Sequence, residues 1–314
     1  MKLVIIEPLG VQKETLLALA GQALGDAVEV VYYDTKVTDD ETLIARGKDA
    51  DIIVEANLPL NANVIRGFEK LKLLSVAFTG IDHVAMDACR EKNVCVCNCA
   101  GYSNCAVADL VFGMLIALYR NLIPCNEVVR REGTKDGLVG FELEGKKFGV
   151  IGAGAIGTRV MRIAQAFGCE VYAYSRTVKE IPGVTFVSLE ELLSTCDVVS
   201  LHVPATPETK GLINEKTLAL MKESAVLINT ARGPVVDSQA LADALKAGKI
   251  AGAAVDVFEM EPPVPAGHPL LGAPNLIATP HVAFATKEAL EKRAVIVFEN
   301  VKQWMAGTPV NVMK

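Results

Sequence analysis

The sequence lacks the features that mark secreted, membrane-spanning and nucleic-acid-binding proteins. Its first residues, MKLVIIEPLG, run from an apolar strand into a turn, without the basic start, long apolar core and cleavage site of a signal peptide. The longest apolar stretch, residues 106–119, is interrupted by Asp109 and is shorter than the roughly 20 residues that span a bilayer. The net charge of −6 offers no basic patch for nucleic acid or a membrane surface. We therefore expect a cytoplasmic protein that acts on small molecules.

The eight cysteines lack the spacing of a metal site. Three of them, Cys95, Cys97 and Cys99, alternate along one strand-like segment and therefore share a face. No paired CxxC or suitably spaced histidine accompanies them, so small buried side chains are favoured over a metal site, and no metal is predicted. Because no export signal is present, the thiols are expected to stay reduced.

A chain of 314 residues is too long for one ordinary core and predicts two domains. Apolar strand-like segments alternate with amphipathic helical segments, which is typical of parallel sheets covered on both faces. We predict an α/β protein with two doubly wound parallel-sheet domains, Rossmann-like or flavodoxin-like, and a cleft between them. The substrate domain comprises residues 1–99 and, because a helical segment follows the last strand, also residues 286–314. Residues 100–285 form a dinucleotide-binding domain with six predicted strands.

A glycine loop lies near the start of the second domain. Gly152-Ala-Gly154-Ala-Ile-Gly157 stands between the apolar run 148–151 and a helical run that begins at Thr158. Gly152 permits the tight turn, Gly154 lets the backbone approach a pyrophosphate, and Gly157 lets the helix pack closely on the strand. The phosphates would bind N–H groups at the helix N-terminus. The pattern therefore predicts a dinucleotide cofactor.

The next strand ends in Ser175-Arg176-Thr177, where such fingerprints usually carry an acidic residue that binds the ribose hydroxyls. No carboxylate in this segment repels a 2′-phosphate, and Arg176 can pair with one while Ser175 and Thr177 donate hydrogen bonds. NADP(H) is therefore favoured. An Arg176 that is a solvated loop residue lying against the adenine would suit NAD(H) as well, so NAD(H) stays open.

Polar residues follow three later strands at the carboxyl edge, where open α/β sheets bind ligands. Arg232, Glu261 and His281 can converge there. The guanidinium of Arg232 can hold a carboxylate and polarise the neighbouring ketone of a 2-keto acid. The ordinary pKa of a histidine side chain, near 6.5, suits His281 to proton transfer to the carbonyl oxygen, and a neighbouring Glu261 would orient the ring. Each residue alone also fits a structural role, as an ion pair or a capping group.

In combination, these stretches resemble the D-isomer-specific 2-hydroxyacid dehydrogenase family, which includes glyoxylate/hydroxypyruvate reductases and phosphoglycerate dehydrogenases. The resemblance covers essentially the whole chain. It rests on residues 75–83, 98–103, the glycine loop, 202–209, 229–233, 256–262 and 279–281. It implies an NAD(P)-dependent oxidoreductase that acts on the CH–OH group of small 2-hydroxy acids.

The resemblance also implies roles for individual residues, beginning with catalytic roles for Arg232, Glu261 and His281. For the cofactor it implies that Ala155 and Ile156, beside the loop glycines, contact the pyrophosphate. The adenosine would be flanked by His202, Val203 and Pro204, and the nicotinamide would be held by Thr230, Ala231 and Asp256. Thr209, which ends the 202–209 segment, is also assigned to the cofactor site. For the substrate it implies the backbone N–H groups of Thr79, Gly80 and Ile81 opposite Arg232, with Asn57 in a loop over the pocket. His83 beside this site is interpreted as a turn-stabilising hydrogen-bond partner. The long helix after residue 103 would be a dimer element, so a homodimer is predicted.

We predict a reductase of the glyoxylate/hydroxypyruvate type, with two alternatives open. A phosphoglycerate dehydrogenase would need cations for the substrate phosphate; the loop at Asn57 offers none, although Arg66 and Lys72 stay open, and no C-terminal regulatory domain is expected. A cofactor-sensing binding protein on the same fold is the other alternative. The presence of Arg232, Glu261 and His281 together favours the enzyme.

Overall fold

The computed structural model describes residues 1–313, which divide into two compact units. The first unit comprises Met1–Ser103 together with residues 285–313, and the second comprises Asn104–Phe284. The first unit is discontinuous, because the chain leaves it after residue 103 and returns at residue 285. Each unit is built around one parallel β-sheet.

The first unit has a five-stranded sheet with the order β2-β1-β3-β4-β5, the order of flavodoxin-like folds. Its central strands are fully buried and mostly apolar, as expected where helices cover both faces of a parallel sheet. The side chains of Asp39 and Asn61 cap the helices that follow them. The elements are β1 (Lys2–Ile5), α1 (Lys13–Leu24), β2 (Glu29–Tyr32), α2 (Asp40–Gly47), β3 (Ile52–Glu55), α3 (Ala62–Gly67), β4 (Leu73–Val76), α4 (Met86–Glu91) and β5 (Cys95–Cys97).

The second unit has a seven-stranded sheet with the order β12-β11-β10-β9-β6-β7-β8, which is the Rossmann order with β12 added at one edge. Its elements are α5 (Asn104–Tyr119), α6 (Leu122–Arg130), β6 (Lys147–Ile151), α7 (Ala155–Ala166), β7 (Glu170–Tyr174), β8 (Val184–Phe186), α8 (Leu189–Thr195), β9 (Val198–Leu201), α9 (Glu215–Leu218), β10 (Val226–Asn229), α10 (Ser238–Lys246), β11 (Gly252–Val255) and β12 (Leu276–Ala278). The prediction of six strands was wrong, because β8 is a three-residue edge strand with partly exposed side chains that leaves no periodic signal.

The last helix, α11 (Lys287–Met305), belongs to the first unit, where it packs against α1 and β4. Its buried residues include Val297, Phe298 and Val301. Side chains also fasten it, since Asn300 Nδ2 donates to the Asn98 carbonyl oxygen at 2.9 Å. The first unit is therefore completed by residues that follow the second unit in sequence.

Both faces of the second sheet are buried by apolar side chains. Along β10, Leu227 packs into the layer on one face and Ile228 into the layer on the other, as successive strand residues must. Val111 and Leu115 of α5 are fully buried in one of these layers. The apolar face that was predicted to form a dimer is thus covered within the second unit. In the segment that follows α5, five apolar side chains are exposed: Leu122, Ile123, Val129, Val139 and Phe141.

The alternating cysteines are mostly core residues. Cys97 and Cys99 are fully buried, and burial raises the pKa of both thiols to about 12, so that they stay protonated. Among residues 1–313, no single helix is long and apolar enough to cross a membrane; the bent pair of α5 and α6 meets the length and composition test only when the two are taken together.

Candidate active site

The glycine loop lies where the strand order of the second sheet reverses, between β6 and β9. Gly152 has φ +106°, and a Cβ there would lie 2.4 Å from the His202 carbonyl oxygen. A Cβ at Gly157 would lie 2.0 Å from the carbonyl oxygen of Gly152. Side chains are therefore excluded at both positions by backbone that passes too close.

The space beside Gly154 suits a pyrophosphate. Gly154 is the N-cap of α7 and has no side chain, and no atom lies within 4 Å of where its Cβ would be. Ala155 and Ile156 begin the helix, so their N–H groups belong to the first turn, which no side chain of the N-cap residue occupies. An open cradle at a helix N-terminus fits a dinucleotide phosphate.

The predicted 2′-phosphate segment, residues 175–177, follows β7, and Arg176 is exposed there. Two charged neighbours were missed by sequence reasoning. Lys179 Nζ donates to the Ala153 carbonyl oxygen in the glycine loop at 2.7 Å. The pKa of Glu208 is lowered by a hydrogen bond from Thr206 and also by the positive charge of Arg176, which places a carboxylate within electrostatic range of that guanidinium. Two cations and one anion therefore surround this end of the loop.

The 202–209 segment after β9 is shaped by its own hydrogen bonds. His202 Nε2 lies 2.9 Å from Ser200 Oγ, and burial lowers the pKa of His202 to about 4, so the ring is neutral near pH 7. The Thr209 hydroxyl donates to the Pro204 carbonyl oxygen at 2.6 Å and accepts from the Thr206 N–H at 2.8 Å. Thr209 therefore closes the turn that presents His202, Val203 and Pro204.

His281 and Glu261 form the central pair of the site. His281 Nδ1 lies 2.7 Å from Glu261 Oε1, and the other carboxylate oxygen of Glu261 accepts from the Phe258 N–H at 3.1 Å. The backbone at His281 is left-handed, with φ +53°. Such a conformation is uncommon outside glycine and marks a position that its surroundings hold in place. The Glu261 carboxylate thus orients the imidazole through Nδ1.

Asp256 holds the loop that carries His281. This fully buried carboxylate accepts from the Thr279 hydroxyl at 2.6 Å, from the Val282 N–H at 2.8 Å and from the Ala283 N–H at 2.9 Å. Burial raises the pKa of Asp256, and these three hydrogen bonds oppose that rise. Sequence reasoning assigned Asp256 to the nicotinamide; the structure shows both of its oxygens bonded to the segment around His281.

Arg232 follows β10, the neighbour of β11 in the sheet. The Asn229 side chain shapes its loop, since Oδ1 accepts from the Ala231 N–H and Nδ2 donates to the Arg232 carbonyl oxygen, both at 3.0 Å. The backbone of this loop comes close to that of the Glu261 loop, since a Cβ at Gly233 would lie 2.0 Å from the Phe258 carbonyl carbon. Arg232, Glu261 and His281 therefore stand at the carboxyl ends of three consecutive strands, β10, β11 and β12.

Thr230 carries a polar atom that the chain leaves unsatisfied. Its Oγ1 is buried and makes no hydrogen bond to any residue that the structure describes. A buried hydroxyl without a partner costs free energy, so it fits a polar group of a bound molecule. The sequence assigned Thr230 to the nicotinamide, and a polar group of a nicotinamide dinucleotide would satisfy this hydroxyl.

The predicted substrate segments belong to the first unit. Asn57 follows β3, and its Oδ1 accepts from Lys36 Nζ at 2.9 Å. Thr79, Gly80 and Ile81 follow β4, and the Thr79 carbonyl oxygen accepts from Asn98 Nδ2 at 2.7 Å. The cations that sequence reasoning left open are engaged elsewhere: Arg66 pairs with Glu91 at 2.8 Å, and Lys72 pairs with Asp51 at 2.7 Å.

Comparisons with known proteins agree with these features. Residues 112–283 match the family model described as D-isomer specific 2-hydroxyacid dehydrogenase, NAD binding domain. The chain is 35% identical over 323 residues to hydroxypyruvate reductase of Blautia hydrogenotrophica, which covers 100% of this chain and 99% of that protein. It is 38% identical over 314 residues to D-3-phosphoglycerate dehydrogenase of Methanocaldococcus jannaschii, covering 98% of this chain but 58% of the relative. A solved acyclic imino acid reductase in complex with NADPH and D-Arg superposes with a TM-score of 0.90 at 32% identity, covering 100% of both chains.

The strand orders, the glycine loop and the polar residues at the ends of β10, β11 and β12 define a nicotinamide-dependent oxidoreductase of the two-domain α/β type. The chain belongs to the D-isomer specific 2-hydroxyacid dehydrogenase family. It is accordingly an enzyme that acts on the CH–OH group of 2-hydroxy acids, as the sequence predicted.

Proposed function

We propose that the enzyme reduces small 2-keto acids of the glyoxylate or hydroxypyruvate type, with Arg232, Glu261 and His281 as its catalytic residues. The observation that carries this proposal is the 2.7 Å contact between His281 Nδ1 and Glu261 Oε1, held beside the Arg232 loop by backbone contact at Gly233. A carboxylate that orients an imidazole is the arrangement that general acid–base catalysis requires.

When bound, the nicotinamide supplies the hydride for reduction or accepts it in oxidation. The guanidinium of Arg232 binds the substrate carboxylate and polarises the ketone. In the first unit, the loop at Asn57 and the backbone N–H groups of Thr79, Gly80 and Ile81 are the proposed substrate-binding groups. Because Nδ1 of His281 is engaged by Glu261, Nε2 holds the proton that passes to the carbonyl oxygen. In the reverse direction Nε2 takes this proton from the hydroxyl group. Thr230 Oγ1 would hold the nicotinamide end of the cofactor through a hydrogen bond.

NADP(H) is the proposed cofactor, and NAD(H) is the alternative. Arg176 is exposed after β7 without a hydrogen bond or ion pair to any residue within 1–313, and Lys179 adds a second cation at the glycine loop. A 2′-phosphate would gain two charge-assisted contacts there, offset in part by Glu208. The NADPH bound to the similar imino acid reductase supports the same choice.

The phosphoglycerate alternative is disfavoured by charge. Arg66 and Lys72 are paired with other carboxylates, and the cation beside Asn57 is Lys36, whose Nζ lies 3.8 Å from the buried carboxylate of Glu7. A substrate phosphate at Asn57 would therefore meet a cation that is already neutralised. A binding protein that only senses the cofactor would have no need for the oriented His281.

We also propose that the enzyme is a cytoplasmic homodimer. The eight cysteines are free thiols, which a reducing compartment maintains. The proposed dimer surface is the exposed apolar group around α6, comprising Leu122, Ile123, Val129, Val139 and Phe141. Clustered apolar side chains of this kind mark association surfaces. Light scattering at several protein concentrations measures the mass.

The experiment that tests the function is a set of initial rates with glyoxylate, hydroxypyruvate and short aliphatic 2-keto acids, each with NADPH and with NADH. We expect a 2-keto acid to be reduced faster with NADPH. Each reaction is repeated with an amine present, because the similarity to an imino acid reductase makes imine reduction the second candidate. A rate that appears only with the amine would favour that candidate.

His281→Ala is expected to lower kcat by about 10³-fold, since general acid–base catalysis contributes roughly 10²–10⁴-fold. Cofactor binding, measured by quenching of NADPH fluorescence, should stay within about twofold of wild type, because the glycine loop is unchanged. The control for loss of an imidazole is His268→Gln. His268 lies between β11 and β12 and is buried against Glu259. Turnover that survives in His281→Ala would show that another group transfers the proton.

A further inference from the structure

The two predicted substrate segments of the first unit are joined by a buried carboxylate that neither sequence reasoning nor the mechanism uses. Glu55, the last residue of β3, is completely buried. One of its oxygens, Oε2, accepts from the Leu58 N–H at 3.0 Å, within the loop that carries Asn57. Its other oxygen, Oε1, lies 2.8 Å from His83 Nε2, beside the segment 79–81. One side chain therefore contacts the Asn57 loop and also His83, which lies two residues beyond the segment 79–81.

Glu7, which follows the neighbouring strand β1, binds the same loop. Its Oε1 accepts from the Ala56 N–H at 2.8 Å and from the Asn57 N–H at 3.1 Å. The N–H groups of three successive residues, 56–58, thus end on two buried carboxylates. Backbone bonds add a second link between the segments, since the Leu60 N–H donates to the His83 carbonyl oxygen at 2.9 Å.

Two buried carboxylates are costly unless cations balance them. His83 supplies one cation when it is protonated: burial lowers its pKa, but the charge and hydrogen bond of Glu55, with the charges of Glu7 and Asp82, raise it above its ordinary value overall. Lys36 faces Glu7 from the end of β2. Glu7 itself has a raised pKa because of burial and repulsion from Glu55. Burial of the two carboxylates, Glu7 and Glu55, costs free energy, and their hydrogen bonds end at the Asn57 loop and at His83.

We propose that Glu55 is a positioning residue for substrate binding, which together with His83 and Glu7 holds the loop at Asn57 and the segment at residues 79–81 in one fixed arrangement. This inference rests on the proposed substrate roles of those two segments. Fixing both segments in advance removes the cost of ordering them when the 2-keto acid binds. The binding free energy gained in this way is the same in the substrate complex and in the transition state. Its loss is therefore expected to raise KM and to leave kcat unchanged.

The test compares three variants with wild type. Glu55→Leu removes both contacts, His83→Ala removes the contact with the second segment, and Glu55→Gln keeps both, because its amide oxygen can accept from Leu58 and its amide nitrogen can donate to a neutral His83. We expect KM for the 2-keto acid to rise roughly tenfold in Glu55→Leu and His83→Ala, about the loss of one charge-assisted hydrogen bond. The value of kcat should stay within about twofold, and Glu55→Gln should lie near wild type. Glu41→Leu, an exposed carboxylate on α2, is the matched control.

A second measurement does not depend on activity. Hydrogen exchange followed by mass spectrometry should show faster exchange at residues 56–58 in His83→Ala, although the substitution lies in the other segment. Unchanged exchange there would overturn the inference even if Glu55→Leu failed to fold. So would an equal fall of kcat in all three variants, because that pattern indicates general damage. If exchange at residues 56–58 is faster in His83→Ala but the wild-type enzyme reduces no 2-keto acid, the proposed function alone is overturned.

Discussion

The charge of a single residue is expected to decide the cofactor. Arg176→Glu replaces the proposed phosphate partner with the carboxylate that usually binds the ribose hydroxyls. KM for NADPH should rise by at least about tenfold, because a charge-assisted contact is lost and a repulsion is added, while KM for NADH should stay the same or fall. Steady-state kinetics with both cofactors measures the ratio. Arg162→Glu, an equally exposed arginine on α7, should change neither value. Equal losses for the two cofactors would contradict a role in reading the 2′-phosphate.

At the scale of single residues, chemistry could be predicted from the sequence where a residue type and its place after a strand are both informative. Arg232, Glu261 and His281 were proposed as catalytic residues in this way, and the structure brings Glu261 and His281 into direct contact. Lys179 and Glu55 were missed, because each acts through a partner distant in sequence. Glu55 is also the last residue of β3, where a charged residue in the sequence is easily taken to mark only the end of a buried strand.

At the scale of elements, the close contact between two loops depends on one glycine. A Cβ at Gly233 would lie 2.0 Å from the Phe258 carbonyl carbon and 2.3 Å from the Glu259 nitrogen, so Gly233→Ala must push the Arg232 and Glu261 loops apart. We expect a loss of about 1–3 kcal/mol in unfolding free energy, typical of overpacking, and a fall of kcat/KM of roughly 10²-fold, typical of misplaced catalytic groups. Denaturant titration and initial rates measure the two effects.

The control for this substitution is Gly21→Ala in α1, where no atom lies within 4 Å of the position of the added Cβ. Alanine favours the helix there, so this variant should be stabilised by about 0.4–1 kcal/mol with unchanged kinetics. A Gly233→Ala enzyme that matched wild type in kcat/KM would show that the two loops move independently.

Long buried strands and amphipathic helices were predictable because their apolar periodicity follows from burial on one face or two. The apolar run 148–151 lies within β6 and ends with it at Ile151. The edge strand β8 was not predictable, because three residues carry no measurable period and an edge strand is only partly buried. The sequence could not decide whether α5 is buried in its own unit or at an interface, since an apolar helix face does not reveal which surface will cover it; Val111 and Leu115 are buried inside the second unit.

At the scale of the whole molecule, the two units differ in how the chain builds them. The second unit is one continuous stretch, and the residues of both apolar layers around its sheet lie within 104–284. The first unit needs α11, whose side chains Val297, Phe298 and Val301 are buried after the chain returns. A continuous unit with its own core is expected to fold by itself, whereas an interrupted one is not.

Residues 104–284 expressed alone should therefore unfold cooperatively and bind NADPH with a Kd within about tenfold of the full chain, because the glycine loop, Arg176 and Thr230 are all present. This fragment should not reduce a 2-keto acid, since Asn57 and the segment 79–81 belong to the other unit. Residues 1–103 expressed alone, without α11, should show no cooperative transition, because β4 and α1 would expose the surface that α11 covers. Circular dichroism with denaturant and NADPH fluorescence titration measure both fragments. A 104–284 fragment that bound the cofactor and also reduced the keto acid would remove the first unit from the substrate site altogether, and would leave Arg232 as the anchor of the carboxylate.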